Sequence, residues 1–303
     1  MAVPRVAIIG STASGKSAVA MDVARRVGDV ELISVDSMQV YIGMDIGTAK
    51  PSSADQTEIT HHLLDLVNPD DEFTVARFRE EFAQAIEVIG ERKSRAVLVG
   101  GTGLYHRVVI DDFDLPGEWP EVRAELEAES QTGDLYRRLE TLDATAANKI
   151  EPGNRRRIIR ALEVTVGSGR PFSAFGPGVD SYPDSAVVQI GLRWPREVIA
   201  DRIETRVQRM VEDGLFAEVE AIRRVGFSKT SAQALGYKEI LQYFDDEVSK
   251  DEAIESIIVR TRQFAVRQER WFRRDPRVRW IDVEDDPVAE VAPLVMAALG
   301  DVS

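Results

Sequence analysis

A lysine and several hydroxyl residues near the start of the chain stand where they could hold phosphate oxygens. The stretch GSTASGKS, residues 10–17, fits G-x-x-x-x-G-K-[ST], with Gly10, Gly15, Lys16 and Ser17 at the fixed positions. Glycine at both ends lets successive N–H groups turn inward, and Lys16 adds a mobile positive charge. The Ser17 hydroxyl would then reach a Mg²⁺ ion. The pattern predicts a phosphate-binding loop (P-loop) in preference to a purely structural turn, and it leaves the phosphate compound open.

An aspartate and an amide follow the next predicted strand, in SVDSMQVY. Asp36 could hold Mg²⁺ through water or take a proton from an attacking nucleophile. The structural alternative is an aspartate that caps the following helix. Gln39 offers an amide able to bond both edges of a base, although a lone glutamine is usually a solvated loop residue.

A further hydroxyl residue, Thr102, follows a glycine pair in VGGTGLYH, residues 99–106. The glycines allow the backbone to approach a ligand, and Thr102 would offer its hydroxyl toward the phosphate site. A tight turn between a strand and a helix explains the same residues without a ligand.

Arginines on a predicted helix could contact phosphates in the stretch GNRRRIIRALEV. Arg156 and Arg160 share one face at i,i+4 spacing, as a phosphate-binding surface requires, and Arg157 lies beside them. A solvated face with carboxylate partners is the ordinary explanation of such a run.

A second arginine pair, Arg202 and Arg206, has the same i,i+4 spacing in DRIETRV. Arginines so placed could lie over a transferring phosphate. A surface ladder with Asp201 and Glu204 is equally compatible with the sequence.

A long predicted helix near the C-terminus carries a third group of arginines. Arg260, Arg267 and Arg274 recur every seven residues in VRTRQFAVRQERWFRRDPRVRW. Arginine is well suited to phosphate and to stacking on bases. The aromatic residues of this helix are predicted to be core residues, because aromatics at helical spacing usually face inward; they are Phe264, Trp271 and Phe272.

These residues must be positioned by a parallel sheet. Buried strands are predicted in the apolar run just before the P-loop, at 31–37, at 95–101 and at 186–194, with helical patterns between them. The last strand is predicted at 278–283. The fold class is therefore α/β, a P-loop doubly wound parallel sheet.

The pattern of the sheet is interrupted by residues 112–185, which contain helical segments and no convincing strand. We interpret them as an inserted all-helical subdomain. The catalytic core then consists of residues 1–111 and 186–303.

Composition limits the remaining possibilities. The 303-residue chain has no cysteine and three histidines, which excludes disulfides and thiolate metal sites. No apolar run approaches the roughly 18 residues of a membrane span, and the start leaves no room for a signal peptide, so we expect a cytoplasmic protein without membrane attachment. A net charge of −14 argues against nucleic-acid partners, yet the arginines are concentrated in separate stretches, as an acidic RNA-binding enzyme would need.

The motifs, in their order, resemble the tRNA dimethylallyltransferases, also called tRNA isopentenyltransferases. DSMQVYIGMDIGTAKP is the most specific stretch, and GSTASGKS, LVGGTGLYH, NRRRIIRALEV, ALGYKE and TRQFAVRQERWFR accompany it. The resemblance implies transfer of a dimethylallyl group from dimethylallyl diphosphate to N6 of the adenosine 3′ to the anticodon, position 37, of tRNA. The partner would be the anticodon stem-loop, the cofactor Mg²⁺, and we expect a monomer.

The resemblance also implies roles for individual residues. Asp36 would be the general base, Thr102 would contact the reacting region, and Mg²⁺ would lie at Ser17. The diphosphate would be bound by the P-loop and Arg206; the loop residues are Gly10, Ser11, Thr12, Ala13, Ser14, Gly15, Lys16 and Ser17. The tRNA contacts would be Asp36, Ser37, Met38, Gln39, Thr102, Arg123, Arg156, Arg157, Ile158, Ile159 and Arg160.

One position departs from the resemblance, and three other functions compete with it. Val266 stands where many family members have lysine. A small-metabolite kinase would share the P-loop and Asp36 and would bind ATP, but it leaves the arginine clusters unexplained. A non-catalytic RNA-binding protein would not need Lys16. An enzyme that prenylates free adenine nucleotides would not need the helical insertion.

Overall fold

The computed structural model describes residues 4–300 except 114, 177, 179 and 180. The chain forms two compact units, one of Met1–Asp111 and Asp184–Ser303 and the other of Asp112–Pro183. The predicted insertion, 112–185, ends slightly beyond the second unit. Residues 1–3 and 301–303 of the predicted core, and residues 114, 177, 179 and 180 of the predicted insertion, lie outside the described residues.

The first unit is built on a six-stranded parallel sheet with the strand order β3-β2-β4-β1-β5-β6. The strands are β1 (Val6–Gly10), β2 (Val30–Val35), β3 (His61–His62), β4 (Arg95–Gly100), β5 (Val188–Arg193) and β6 (Val278–Asp282). The predicted α/β class is confirmed. Sequence periodicity did not reveal β3, because a strand of two residues is too short to show alternation.

The described residues also form α-helices. In chain order they are α1 (Lys16–Val27), α2 (Ser53–Glu58), α3 (Val75–Glu91), α4 (Gly103–Ile110), α5 (Pro120–Ala128), α6 (Thr132–Leu142), α7 (Ala144–Ala147), α8 (Arg155–Ser168), α9 (Arg196–Glu212), α10 (Leu215–Val225), α11 (Tyr237–Phe244), α12 (Lys250–Phe272) and α13 (Pro287–Leu299). Gly236 adopts φ +90° immediately before α11 begins. Among the described residues, no helix is both long enough and apolar enough to cross a membrane.

Both faces of the sheet are buried at the central strand β1, which explains why this strand is a continuous apolar run. In β1, Ala7 and Ile9 pack into one core with α3 and α12, whereas Val6 and Ile8 pack into a second core with α1 and α13. The alternation of a strand thus places successive side chains in different cores.

The carboxyl ends of three adjacent strands position the polar residues singled out by the sequence. Because β2, β4 and β1 are neighbours and parallel, the segments that follow Val35, Gly100 and Gly10 leave the sheet at one edge. Such an edge is where open α/β sheets bind ligands.

The second unit has a core of its own, formed by α5, α6, α7 and α8. Its described residues contain helices and no strand. Leu139, Ile158 and Leu162 are fully buried in that core.

Candidate active site

The P-loop connects a buried strand to a helix through a tight turn. Strand β1 ends at Gly10, and α1 begins at Lys16. Gly15 precedes the helix with φ +95°, a conformation that favours glycine. The Ser14 N–H donates to the Ser11 carbonyl over 3.3 Å, which closes the loop. The predicted motif therefore has the strand, loop and helix that a phosphate-binding loop requires.

Residues from the C-terminal half of the first unit support this loop from outside. The Trp194 indole N–H donates to the Ser14 carbonyl at 2.8 Å, and Arg202 Nε donates to the Ala13 carbonyl at 2.8 Å. The Arg202 guanidinium also lies 4.7 Å from the centre of the Trp194 ring. Arg202 thus holds the loop backbone, whereas Arg206, one helical turn further on, lines the cavity beside the loop. Glu204 pairs with Arg262 instead of forming a ladder on its own helix.

Two cations reach the cavity beside the loop. Lys16 and Arg206 both line it, and Lys16 Nζ donates to the Ser11 carbonyl at 3.3 Å. Burial, and secondly the nearby Arg206 charge, lower the pKa of Lys16 to about 8, while Asp36 acts in the opposite direction. Burial also lowers the pKa of Arg206, again opposed by Asp36. Two positive groups that are costly to bury together form a site that an anion would stabilise.

Asp36 is fixed by the backbone that follows it. Its Oδ1 accepts hydrogen bonds from the N–H groups of Met38, at 2.8 Å, and Gln39, at 3.4 Å. Neither bond uses Oδ2. Asp36 therefore caps a turn and not a helix, since the next helix begins only at Ser53, and it also lines the same cavity as Lys16.

Thr102 links the ends of two strands. Its Oγ1 accepts a hydrogen bond from the Ser37 N–H at 3.2 Å, and its own N–H donates to the Val35 carbonyl at 3.3 Å. A Cβ at Gly100 would collide with the Val35 carbonyl, so glycine allows this close approach. The predicted residues Asp36 and Thr102 are thereby brought together at the edge of the sheet.

The Gln39 side chain is fully engaged within the protein. Its Oε1 accepts the Ser34 hydroxyl at 2.7 Å, and its Nε2 donates to the carbonyls of Thr48, at 3.2 Å, and Ala49, at 3.1 Å. An amide held in this way is not available to bond a base edge. Gln39 instead ties the segment after β2 to the loop at residues 45–49.

Gln268 on α12 is a site residue that the sequence analysis missed. Its Oε1 accepts the Thr12 N–H at 2.8 Å, and its Nε2 donates to the Gly101 carbonyl at 2.9 Å. One buried amide therefore joins the P-loop to the turn before Thr102. The sequence signal for its role was a glutamine on the inward face of α12. The sequence analysis considered only the arginines and aromatic residues of that helix.

The cavity between these loops has a volume of about 770 Å³. Its polar wall contains Lys16, Ser17, Asp36, Thr102 and Arg206. Apolar residues also line it, among them Met210 of α9, Leu215 of α10, and Ile257 and Phe264 of α12. Phe264 is thus a cavity residue, contrary to its predicted place in the core, because the inward face of α12 borders the cavity.

The arginines of α12 serve different purposes. Arg260 pairs with buried Glu239 at 2.9 Å, and Arg262 pairs with Glu204 at 2.7 Å. Arg267 is exposed and lines the cavity, with its guanidinium 5.8 Å from the centre of the Phe264 ring. The seven-residue repeat therefore does not define one phosphate-binding face.

The predicted RNA contacts of the second unit also divide into two groups. Arg160, at 3.0 Å, and Arg123, at 3.5 Å, form ion pairs with buried Glu163. Arg156 and Arg157 are exposed on α8, and no ion pair joins either to another described residue. The side chains of Ile158 and Ile159 are buried in the core of this unit, so they stabilise α8 and are not available to a nucleic acid. Helix α8 is thus amphipathic, with an apolar buried face and an exposed face that carries arginines.

Oxygen ligands for a cation are present at the cavity. The Ser17 hydroxyl is exposed in the first turn of α1, and Asp36 lines the same space. No cluster of three or more histidine, aspartate or glutamate side chains suited to a metal occurs in the described part of the chain. The residues fit a Mg²⁺ ion that takes most of its ligands from phosphates and water.

Known proteins resemble this chain over nearly its whole length. Residues 39–275 match the family described as IPP transferase. The tRNA dimethylallyltransferase of Kineococcus radiotolerans is 44% identical over 320 residues, which span 98% of this chain and 98% of that protein.

Solved structures are also similar to this chain in sequence and in fold. The crystal structure of the tRNA isopentenylpyrophosphate transferase of Bacillus halodurans is 39% identical, with a TM-score of 0.70, and the match covers 98% of this chain and 96% of that one. A eukaryotic dimethylallyltransferase acting on tRNA is 25% identical, with a TM-score of 0.83, and the match covers 99% and 79% of the two chains.

Proposed function

This chain belongs to the IPP transferase family and is a prenyltransferase acting on tRNA adenosine, and we propose that its donor is dimethylallyl diphosphate. The acceptor atom is N6 of the adenosine on the 3′ side of the anticodon. The products are N6-(dimethylallyl)adenosine and diphosphate.

One observation carries this proposal: a single cavity is lined by the P-loop cations and by the polar residues that follow β2 and β4. We define the donor end as the P-loop, residues 10–17, with Arg206. The acceptor end is Asp36–Gln39 with Thr102. A group-transfer enzyme must bind the donor and the acceptor in one cavity, because alignment of the two reactants supplies much of the rate enhancement.

The donor end stabilises the leaving group. As the allylic C–O bond breaks, its electron pair passes to the diphosphate, and Lys16 and Arg206 neutralise the added charge. Loop N–H groups and the hydroxyls of Thr12 and Ser17 supply further hydrogen bonds. The Thr12 N–H itself already donates to Gln268, so Thr12 contributes through its hydroxyl.

The acceptor end receives the proton. The adenine N6 lone pair forms the new C–N bond, and the N6 proton passes to Asp36 through Oδ2, which the two backbone hydrogen bonds leave unused. The Thr102 hydroxyl, which accepts the Ser37 N–H and lines the same cavity as Asp36, would contact the reacting region. Met210, Leu215 and Phe264 offer apolar surface to the dimethylallyl group.

The Mg²⁺ ion would be held by Ser17, with the diphosphate and water as its other ligands. When bound, it would supply positive charge to the leaving diphosphate oxygens. The Asp36 carboxylate would lie close to that charge.

The second unit would bind the anticodon stem-loop. Exposed Arg156 and Arg157 supply phosphate contacts, and Arg123 and Arg160 lie on the same unit with part of their charge already balanced by Glu163. The target adenine must be flipped out of its stack to reach an enclosed site. The protein would work in the cytoplasm as a monomer.

The deciding experiment incubates the protein with Mg²⁺, dimethylallyl diphosphate and unmodified tRNA, with N6-prenyladenosine measured by mass spectrometry. We expect product from the wild type and a loss of about 10²-fold or more in Asp36→Asn, which keeps the Oδ1 acceptor but cannot take the proton. Asp70→Asn, an exposed aspartate outside the cavity lining, is the control and should retain full activity.

A small-metabolite kinase is the alternative that this assay separates. Tight ATP binding or ATP hydrolysis without any prenylated adenosine would return the P-loop to nucleotide chemistry. Equal activity in Asp36→Asn and the wild type would remove Asp36 from its proposed role as base.

A further inference from the structure

Glu218 on α10 binds the loop at residues 45–47. This loop belongs to the same sequence motif, DSMQVYIGMDIGTAKP, as Asp36–Gln39 of the acceptor end. Glu218 Oε2 accepts the N–H groups of Asp45, at 2.9 Å, and Ile46, at 2.7 Å, and its Oε1 accepts the Gly47 N–H at 3.0 Å. The Tyr237 hydroxyl also donates to Oε1, at 2.5 Å. Four hydrogen bonds thus converge on one half-buried carboxylate, three of them from consecutive backbone amides.

The loop cannot move away from this carboxylate easily. Burial, together with the Glu218 charge, raises the pKa of Tyr237, so its hydroxyl stays protonated and remains a donor. A Cβ at Gly47 would collide with the Tyr237 ring, which shows how closely the loop packs on α11. Charge-assisted hydrogen bonds to backbone amides are stronger than neutral ones.

The fixed loop in turn holds Gln39. The carbonyls of Thr48 and Ala49 accept the Gln39 Nε2 donors, and the Gln39 backbone N–H donates to Asp36 Oδ1. The contacts therefore run without interruption from Glu218, through residues 45–49 and Gln39, to the proposed base.

We propose that Glu218 is a positioning residue for the reaction, acting through the 45–49 loop and Gln39 to hold Asp36 at the angle that proton removal requires. This inference rests on the proposed function of Asp36. Glu218 does not line the cavity itself, whereas Gly47, Thr48 and Ala49 do. Its effect should therefore fall on the rate of the chemical step more than on donor binding.

The test compares Glu218→Gln with Glu220→Gln. Both residues lie on α10, but Glu220 is exposed and pairs only with Arg224 among the contacts that the structure gives it. We expect Glu218→Gln to lower kcat about tenfold or more, with the KM for dimethylallyl diphosphate changed less than about threefold, because small displacements of a catalytic group are costly. Tyr237→Phe, which removes one of the four hydrogen bonds, should show a smaller loss. Glu220→Gln should match the wild type.

A double-mutant cycle distinguishes positioning from a general loss of structure. In the Asp36→Asn background, single-turnover rates should fall less than about twofold on adding Glu218→Gln, since its effect passes through the Asp36 carboxylate. The same factor in both backgrounds, or a rise in donor KM without a fall in kcat, would overturn the proposal.

Amide hydrogen exchange gives a result that does not depend on activity. Glu218→Gln should accelerate exchange at Asp45, Ile46 and Gly47 and at Gln39, while Glu220→Gln should not. Unchanged exchange at these amides would refute the proposal even if the wild type transfers prenyl groups. If the wild type makes no prenyl product, the proposed function fails on its own, and the exchange data still decide whether Glu218 holds the loop.

Discussion

The donor and acceptor ends of the cavity contain different kinds of group. The donor end has two half-buried cations, Lys16 and Arg206, whose pKa values are lowered because they share a desolvated space. The acceptor end has one carboxylate, Asp36, and two neutral side chains, Thr102 and Gln39, and hydrogen bonds hold all three.

The difference follows from what each end must do. Neutralising a diphosphate requires positive charge that is unfavourable until the anion arrives, and such a site is destabilised in the free protein. Removing one proton requires little charge but a fixed direction, and hydrogen bonds provide that direction. Substitutions at the donor end should therefore change charge-dependent quantities, and substitutions at the acceptor end should change geometry.

The strongest test of the comparison removes the Lys16 charge. Lys16→Met should lower kcat/KM for dimethylallyl diphosphate by about 10²- to 10³-fold, because a positive group at the leaving oxygens is lost. The same substitution should raise the melting temperature slightly, since an ammonium disfavoured by burial is removed.

Steady-state kinetics and calorimetry measure both effects. Lys149→Met, at an exposed lysine of the second unit, is the control for the loss of one charge and should change neither quantity appreciably. A fall in melting temperature with Lys16→Met would contradict the interpretation of the donor end as a destabilised pair of cations.

A smaller effect on activity is expected from substitution of Gln268, which joins the donor end to the turn before Thr102. Gln268→Ala removes the amide that bonds both Thr12 and Gly101, so the reactants lose alignment while the charges of the donor end remain. We expect kcat to fall about 10- to 100-fold, with donor affinity nearly unchanged. Gln263→Ala, at an exposed position of the same helix, should behave as the wild type. A rise in donor Kd equal to the fall in kcat would show that Gln268 shapes the P-loop alone.

The smallest effect is a pH dependence confined to the donor end. Lys16, with its pKa near 8, is positive below that pH and loses its charge above it. The diphosphate binds the positive form, so donor affinity should fall as pH rises, by at most about tenfold between pH 7 and pH 9. Titration calorimetry at several pH values would measure this, and Lys16→Met should abolish the dependence in that interval. The same dependence in the variant would assign it to another group.

Stability should change with pH in the opposite sense. The unfolded chain keeps the ordinary lysine pKa, so between about pH 8 and pH 10.5 it binds more protons at Lys16 than the folded protein does. The contribution of Lys16 to the free energy of unfolding therefore becomes more favourable as pH rises through that interval.

Much of the fold could be predicted, because its signals are local. The strands β1, β2, β4 and β5 are rich in apolar residues, as expected for strands buried on both faces. The edge strand β3 gave no such signal.

The candidate site was less predictable, because the same residue type can serve two purposes. Arg202 and Arg206 have equivalent positions in one helix, yet Arg202 bonds the Ala13 carbonyl and Arg206 lines the cavity. Phe264 and Phe272 lie on the same helix, and helical spacing predicts that both face the core. Only Phe272 is buried there. These differences depend on which neighbour each face of a helix meets.

The sequence by itself determined the P-loop, the parallel sheet and the family resemblance, because each depends on a short pattern of residue types with fixed spacing. Only the tertiary structure decided that Gln268 joins the P-loop to the turn before Thr102, and that Glu218 bonds the loop at residues 45–47. The physical reason is that a hydrogen bond between residues far apart in the chain needs a distance and a direction. Those are set by how helices pack on the sheet, and no local pattern encodes them.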